Sequence, residues 1–253
     1  MRDLRGKRVL VTGGGTGIGA GISRGFAEAG AKVAVHYHAG RSAAEKLVAE
    51  IAGQGGLAVA IAGDLTASKA AGDLIVDAVA QLGGIDVLVN NAGGMVGRRP
   101  LAEIDDAFID AVFDLNVRSL VQCCRAALPH LAASGEGVIV NVSSISARTG
   151  GSPGSSIYSG AKGFVSTFTR SLARELAPDG IRVNAVSPGT IHTDFHVRHS
   201  TPEKLEATRK TIPLARLGTA EDCAGTVLYL ASNDLSGYVT GQVIEVNGGQ
   251  LIA

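Results

Sequence analysis

The sequence has no tryptophan, and aromatic residues of all kinds make up only 4% of 253. That argues against a large aromatic cage for a ligand. Cysteine is scarce too. Cys123, Cys124 and Cys223 are odd in number, and none lies in a Cys-x-x-Cys pair. They read as reduced thiols of a cytoplasmic protein, not as disulfides or metal ligands. No stretch approaches 18 uninterrupted apolar residues, so no membrane-spanning helix is expected. Lys and Arg total 23, Asp and Glu total 23, and no basic run breaks the balance. Such a chain gives no support for nucleic-acid binding. The segment Met1–Arg8 leads straight into an apolar run at Val9, which leaves no room for the core of a signal peptide.

What the sequence does contain is hydrophobic residues (45%), a modest charged fraction (18%) and 35 glycines, a globular composition. Short apolar runs alternate with longer helical patterns. Strands are expected at 8–12, 32–37, 57–62, 86–90, 137–142, 181–187 and 243–246. Helices are expected at 17–29, 42–52, 68–81, 105–133, 158–177 and 220–232. Strands that are apolar throughout belong to a parallel sheet covered on both faces. The fold class is therefore α/β: a doubly wound, Rossmann-like parallel sheet with helices on both faces, read as one domain over residues 1–253. The least regular stretch, 188–213, reads as an insertion carrying a helix. It lies after a strand end, where such sheets bind ligands, so it is expected to form a substrate lid.

Glycines mark the first site. Thr12-Gly13-Gly14-Gly15-Thr16-Gly17-Ile18-Gly19 follows the first strand and opens the first helix. In that context a glycine turn brings backbone N–H groups and a helix dipole against a dinucleotide pyrophosphate. A second signal is Tyr158-x-x-x-Lys162, which places two side chains on one helix face. Composition alone gives about one such pair in nine chains of this kind, so order and context carry the weight. An ammonium beside a phenol favours phenolate and should lower the tyrosine pKa.

The spelling Thr-Gly-x-x-x-Gly-Ile-Gly resembles that of the short-chain dehydrogenase/reductase family, and 3-oxoacyl-acyl-carrier-protein reductases in particular. The resemblance runs through Asp64 after the third strand, Asn90-Asn91-Ala92-Gly93, Asn116, Ser144, Tyr158-x-x-x-Lys162, Pro188-Gly189 and Thr193. It implies catalytic roles for Asn116, Ser144, Tyr158 and Lys162. Tyr158 would exchange a proton with the substrate oxygen, and Ser144 would orient that oxygen. Lys162 would tune Tyr158 and hold the nicotinamide ribose, while Asn116 would anchor a water. Ser144 is chosen over Ser143 and Ser146, read as turn formers, from its place in the Asn-x-Ser-Ser motif. The choice implies one extra residue in the loop before Tyr158. Cofactor contacts are expected from Gly13, Thr16, Gly17, Ile18, Gly19, Tyr37, Arg41, Asp64, Leu65, Asn91, Ala92, Gly93, Tyr158, Lys162, Pro188, Gly189, Ile191 and Thr193.

The second strand ends His36-Tyr37-His38-Ala39-Gly40-Arg41 without the acid that usually binds the ribose of NAD. Arg41 would suit a 2′-phosphate instead, so the cofactor is read as NADP, with NAD as the alternative. A small-molecule carbonyl or alcohol is the expected substrate, either a 3-oxoacyl thioester or a sugar or polyol. A non-catalytic nicotinamide-binding regulator is the reading from another class. His192, His196 and His199 fall at helical spacing. They are taken to face solvent or the substrate entrance, and no metal is expected. Arg98, Arg99 and Arg148 are candidates for meeting an anionic substrate or a carrier protein. A homotetramer is expected by analogy with the family.

Overall fold

The structure is a computed structural model and describes residues 1–193, 195 and 200–252. The seven strands are β1 (Arg8–Val11), β2 (Lys32–Tyr37), β3 (Leu57–Ala62), β4 (Val87–Asn90), β5 (Val138–Val142), β6 (Arg182–Pro188) and β7 (Val243–Val246). They form one sheet in the order β3-β2-β1-β4-β5-β6-β7, and every pairing is parallel. The helices are α1 (Gly17–Glu28), α2 (Arg41–Gly53), α3 (Ala70–Leu82), α4 (Asp106–Phe113), α5 (Ser119–Ala133), α6 (Ser146–Thr149), α7 (Ser156–Leu176), α8 (Pro202–Thr211), α9 (Ala220–Ala231) and the short α10 (Asn233–Ser236). The strand order reverses between β1 and β4, which opens a crevice at the carboxyl ends of those strands.

Alternation along each strand divides the core in two. Val9 and Val11 of β1, Val87 and Val89 of β4, and Val138, Val140 and Val142 of β5 face α1, α2 and α9. Leu10, Leu88 and Ile139, one residue out of phase, face α3, α5 and α7. Successive side chains on a strand point to opposite faces, so runs that look uniformly apolar serve two cores. On the valine face the layers approach closely, because α1 carries glycine where it meets α9. A Cβ on Gly21 would lie 2.8 Å from Ala220 Cβ, and one on Gly25 would lie 3.3 Å from Leu228.

The long helical pattern at 105–133 is not one regular helix. A π-turn, Asp114–Arg118, separates α4 from α5. The apolar period continues through it, so the sequence carries no mark of the interruption. The 188–213 segment does contain a helix, α8, opened by Thr201, whose hydroxyl accepts from Lys204 N–H at 3.3 Å. Among the described residues no helix is long and apolar enough to cross a membrane.

The closeness of α1 and α9 can be tested. Gly21→Val would push a branched side chain into Ala220, and overpacking of this kind costs about 1–3 kcal/mol. Urea unfolding should show that loss; an unchanged midpoint would contradict the packing.

Candidate active site

The carboxyl end of the sheet opens into a cavity of about 940 Å³ between the β1–α1 turn, the β4 and β5 ends and the segment after β6. That is ample for a dinucleotide and a small substrate. Its floor is tied together by short polar contacts. Thr12 Oγ1 accepts from Asn91 N–H and Ala92 N–H, both at 3.0 Å. Asn91 Nδ2 donates to Thr12 O at 3.0 Å and to Gly13 O at 2.9 Å. Gly13 sits at φ +60°, and a Cβ there would lie 3.1 Å from Ala92 Cα, so only glycine holds this turn against β4.

Most of the cofactor set gathers on this cavity. Gly13, Thr16, Gly17, Ile18, Asp64, Leu65, Asn91, Ala92, Gly93, Tyr158, Lys162, Pro188, Gly189, Ile191 and Thr193 all line it. Thr16 precedes α1 without a side-chain hydrogen bond to its first turn, which also holds no acid. A helix N-terminus so presented suits a pyrophosphate, and the residues present fit a dinucleotide. Gly17 has φ +51°, and a Cβ there would lie 3.5 Å from Thr193, which brings the segment after β6 over the glycine turn. Asp64 accepts from Thr66 Oγ1 at 2.7 Å and from Thr66 N–H at 3.0 Å, contacts that hold its carboxyl below the usual range.

Three expected cofactor residues stand elsewhere. Gly19 is a packing glycine, because a Cβ on it would run into Gly13 O. Tyr37 is buried in the valine-face core, on the opposite side of β2 from His36. Arg41 starts α2 outside the cavity lining, its guanidinium 3.6 Å from Glu45 across one helical turn. The second strand meets the cavity through His36 and His38 instead. His36 accepts from Gly13 N–H at Nδ1 (3.0 Å), and its Nε2 lies 3.0 Å from Gly63 O. Burial pushes the imidazole pKa down, so neutral His36 buttresses the glycine turn.

At the far end of the cavity Tyr158 and Lys162, both on α7, are buried. Ser144 lines the cavity with them, its hydroxyl accepting from Ser146 N–H at 3.1 Å. Ser143 is engaged otherwise, donating to Lys162 O at 3.0 Å and lying 2.7 Å from Ser166 Oγ. It therefore secures β5 to α7 instead of forming a turn. The loop before Tyr158 closes through Gly150, Gly151 and Gly154, all with positive φ. Lys162 Nζ lies 5.8 Å from the Tyr158 ring centroid and donates to Val142 O at 2.9 Å. Gly93 makes room for the ammonium: a Cβ there would lie 3.1 Å from Lys162 Nζ and 2.8 Å from Asn116 Oδ1.

Asn116 sits in the π-turn behind this loop and does not line the cavity. Its Nδ2 donates to Gly94 O and Val112 O, both at 2.8 Å, and its Oδ1 accepts from Gly94 N–H at 3.0 Å. Below, Asn90 Nδ2 donates to Asn141 Oδ1 at 2.9 Å, and Asn141 Nδ2 donates to Thr169 Oγ1 at 2.9 Å. This buried ladder links β4, β5 and α7 under the site.

Burial dominates the electrostatics. It pushes Tyr158 up to about 12, against the lowering effect of the Ser144 hydroxyl. It pushes Lys162 down to about 8. In the protein alone the tyrosine pKa is thus raised overall, where the lysine was expected to lower it. Desolvation disfavours the charged form of each and sets the direction for both.

Sequence reasoning missed Met95, Phe195 and Gln250. Met95 belongs to the same buried apolar cluster as Tyr158, and the Phe195 ring lies 6.1 Å from the Tyr158 ring between centroids. Gln250 Oε1 accepts from Thr190 N–H at 3.1 Å. Met95 and Gln250 lie outside periodic elements, so no pattern marks them. Arg98 does line the cavity, whereas Arg99 pairs with Asp105 at 2.8 Å and Arg148 lies 3.9 Å from Glu245. His192 is exposed, and His196 and His199 lie outside the described residues. Among the described residues no cluster of His, Cys, Asp or Glu could hold a metal.

A family model described as enoyl-(acyl carrier protein) reductase matches residues 13–250. The chain belongs to the short-chain dehydrogenase/reductase family. A 3-oxoacyl-[acyl-carrier-protein] reductase of Staphylococcus aureus is 40% identical over 243 residues, covering 96% of this chain and 97% of that protein. An uncharacterised oxidoreductase of Methylorubrum extorquens is 39% identical over 98% of this chain and 99% of its own. Among solved structures, an NADH-dependent reductase responsible for alginate metabolism matches with a TM-score of 0.92 at 36% identity, covering 100% of both chains. The same reductase has been solved in complex with NAD and matches with a TM-score of 0.88. This chain is accordingly a nicotinamide-dependent oxidoreductase.

The buried pair makes stability depend on pH. Lys162 falls from 10.5 to about 8, so between those values the unfolded chain binds more protons and stability rises with pH. Tyr158 rises from 10.0 to about 12, so above pH 10 stability falls again on its account. Lys162→Met should lose the rising limb between pH 8 and 10.5, seen as a melting temperature that gains less than the wild type across that window. Parallel curves for the two proteins would contradict the buried ammonium.

Proposed function

We propose that the enzyme interconverts a ketone and a secondary alcohol, with Tyr158 as the general acid and base. The observation that carries this reading is that Ser144, Tyr158 and Lys162, the last two one helical turn apart on α7, line one cavity together with the glycine turn. When bound, the nicotinamide supplies or accepts the hydride, and its oxidised ring brings positive charge to the site. Ser144 hydrogen-bonds the substrate oxygen and fixes its distance from the phenol. Tyr158 gives that oxygen a proton in reduction and takes one back in oxidation. At physiological pH a phenol held near 12 is protonated, the form that reduction requires. Lys162 holds the cofactor ribose and offers its charge to phenolate. Asn116 acts at one remove, as a positioning residue: it fixes Gly94 and through it the loop that lies against Lys162. Gly13, Thr16, Gly17 and Ile18 receive the pyrophosphate, Asp64 and Leu65 the adenine side, and Pro188, Gly189, Ile191 and Thr193 the nicotinamide side.

The finer reading is NADP(H) and a 3-oxoacyl thioester. The absence of an acid at the end of β2 and the position of Arg41 at the start of α2 support the phosphorylated cofactor. The relatives named as 3-oxoacyl reductases support the thioester. A second reading, NAD(H) with a sugar-derived carbonyl, is favoured by the likeness to the NADH-dependent reductase of alginate metabolism and by the Arg41–Glu45 contact away from the cavity. The whole chain serves as one functional unit. Residues 188–213 close over the substrate, since Phe195, Lys204, Leu205 and Thr208 line the same cavity as Tyr158. We further propose a cytoplasmic homotetramer. The buried thiols of Cys123, Cys124 and Cys223 suit a reducing compartment.

Two measurements test this reading. Tyr158→Phe should lower turnover by about 10²–10⁴-fold while cofactor binding, followed by fluorescence, stays intact; near wild-type turnover would contradict the role of the phenol. Arg41→Ala should raise KM for NADPH by about tenfold or more, as expected for loss of a charge-assisted hydrogen bond, and leave NADH unaffected. A wild type that prefers NADH would favour the second reading.

A further inference from the structure

The segment after β4 makes a three-residue turn. Gly97 N–H donates to Met95 O at 2.7 Å, and Val96 between them has φ +62°. This is a γ-turn with its central residue in the left-handed region, the rarer and more strained form. A β-branched residue is a steric outlier there, since its Cβ crowds the neighbouring carbonyl. Three non-glycine residues among those described have positive φ: Lys69, Val96 and Ala215. Of these, Val96 alone lines the cavity. Its apolar side chain is 48% exposed.

The turn is held from both sides. Upstream, Asn116 takes both the N–H and the carbonyl of Gly94. Downstream, Arg99 N–H donates to Gly154 O at 3.0 Å, and Arg98 Nη1 donates to Pro153 O at 3.3 Å. Gly154 itself has φ +79°, and a Cβ on it would lie 3.2 Å from Arg98 Cβ. Clamped in this way, the turn sends Met95 into the buried apolar cluster that also holds Tyr158 and leaves Val96 on the cavity wall. Val96 is thus one residue, about 3.8 Å of backbone, from a side chain of the tyrosine's own cluster. Glycine would adopt this backbone without the steric penalty. Strain that the surrounding structure enforces at a site wall points to a function for the side chain that bears it.

We propose that Val96 is a specificity-determining residue whose isopropyl group limits the bulk of the substituent carried next to the reacting carbonyl. The assignment rests on Tyr158 being the proton donor, because that places the carbonyl at this end of the cavity. The test compares wild type, Val96→Gly and Val96→Leu on two ketones, ethyl 3-oxobutanoate and its 2-benzyl derivative. In Val96→Gly the ratio of kcat/KM for the bulky ester to that for the small one should rise at least tenfold. In Val96→Leu it should fall, and KM for the nicotinamide cofactor should stay the same in both variants. Val96→Gly should melt at or above the wild-type temperature, which separates a change of fit from a loss of fold. A ratio within twofold of wild type in Val96→Gly, or a Val96→Gly protein that melts well below wild type, overturns the assignment. A wild type that reduces no ketone at all overturns the ketone reading and this assignment with it. An active wild type with an unchanged ratio overturns only the role of Val96.

Discussion

Lys162 carries its ammonium into a place that water barely reaches, and three loops are shaped around that charge. The β5 end supplies the carbonyl of Val142 as acceptor. The β4 end supplies Gly93, where a Cβ would crowd both the ammonium and Asn116. The π-turn supplies Asn116, which fixes the next residue, Gly94, through both of its backbone polar groups. An ammonium that is desolvated and holds one carbonyl is poorly compensated, and its pKa falls to about 8 in consequence. Stability lost at such a point is the usual accompaniment of a site that needs a charge in a particular place. Here the place is beside Tyr158, whose own burial keeps it protonated. On the proposed mechanism, a protonated phenol is the form that reduction requires. On the proposed mechanism, the charge of the oxidised cofactor adds to that of Lys162 when the reaction runs the other way.

The fold makes this possible by dividing labour between the two faces of the sheet. On one face slim valines and a glycine-bearing α1 let the first turn sit low over β4, where Asn91 grips Gly13 O and His36 accepts from Gly13 N–H. On the other face leucine and isoleucine fill the wider space under α3, α5 and α7. The polar ladder from Asn90 through Asn141 to Thr169 joins β4 and β5 to α7 just below Lys162. The two ends of the cavity are thus held by different means: backbone approach at the glycine turn, buried hydrogen bonds at the tyrosine.

Local patterns made much of this legible in the sequence. The glycine turn, the parallel apolar strands and the Tyr158–Lys162 spacing each depend on residues close together in the chain. What stayed hidden depends on three dimensions. Asn116 stands in a π-turn that leaves no trace in the apolar period. Tyr37 was assigned to the cofactor, yet strand alternation puts it on the opposite side of β2 from His36 and into the valine core. Met95 and Gln250 reach the cavity from irregular segments. Spacing in the sequence shows the charge of Lys162 beside Tyr158 but not the depth of burial, which decides the direction of both pKa shifts in the protein by itself.

On the proposed mechanism the charge of Lys162 governs proton transfer by Tyr158. That is read from the pH dependence of kcat/KM for alcohol oxidation, compared between wild type and Lys162→Met. Wild type should show a rising limb with an apparent pKa well below the value of about 12 held by Tyr158 in the protein alone. In the variant the limb should shift upward by a unit or more, with little activity left near neutrality. Superimposable profiles for the two proteins would contradict it.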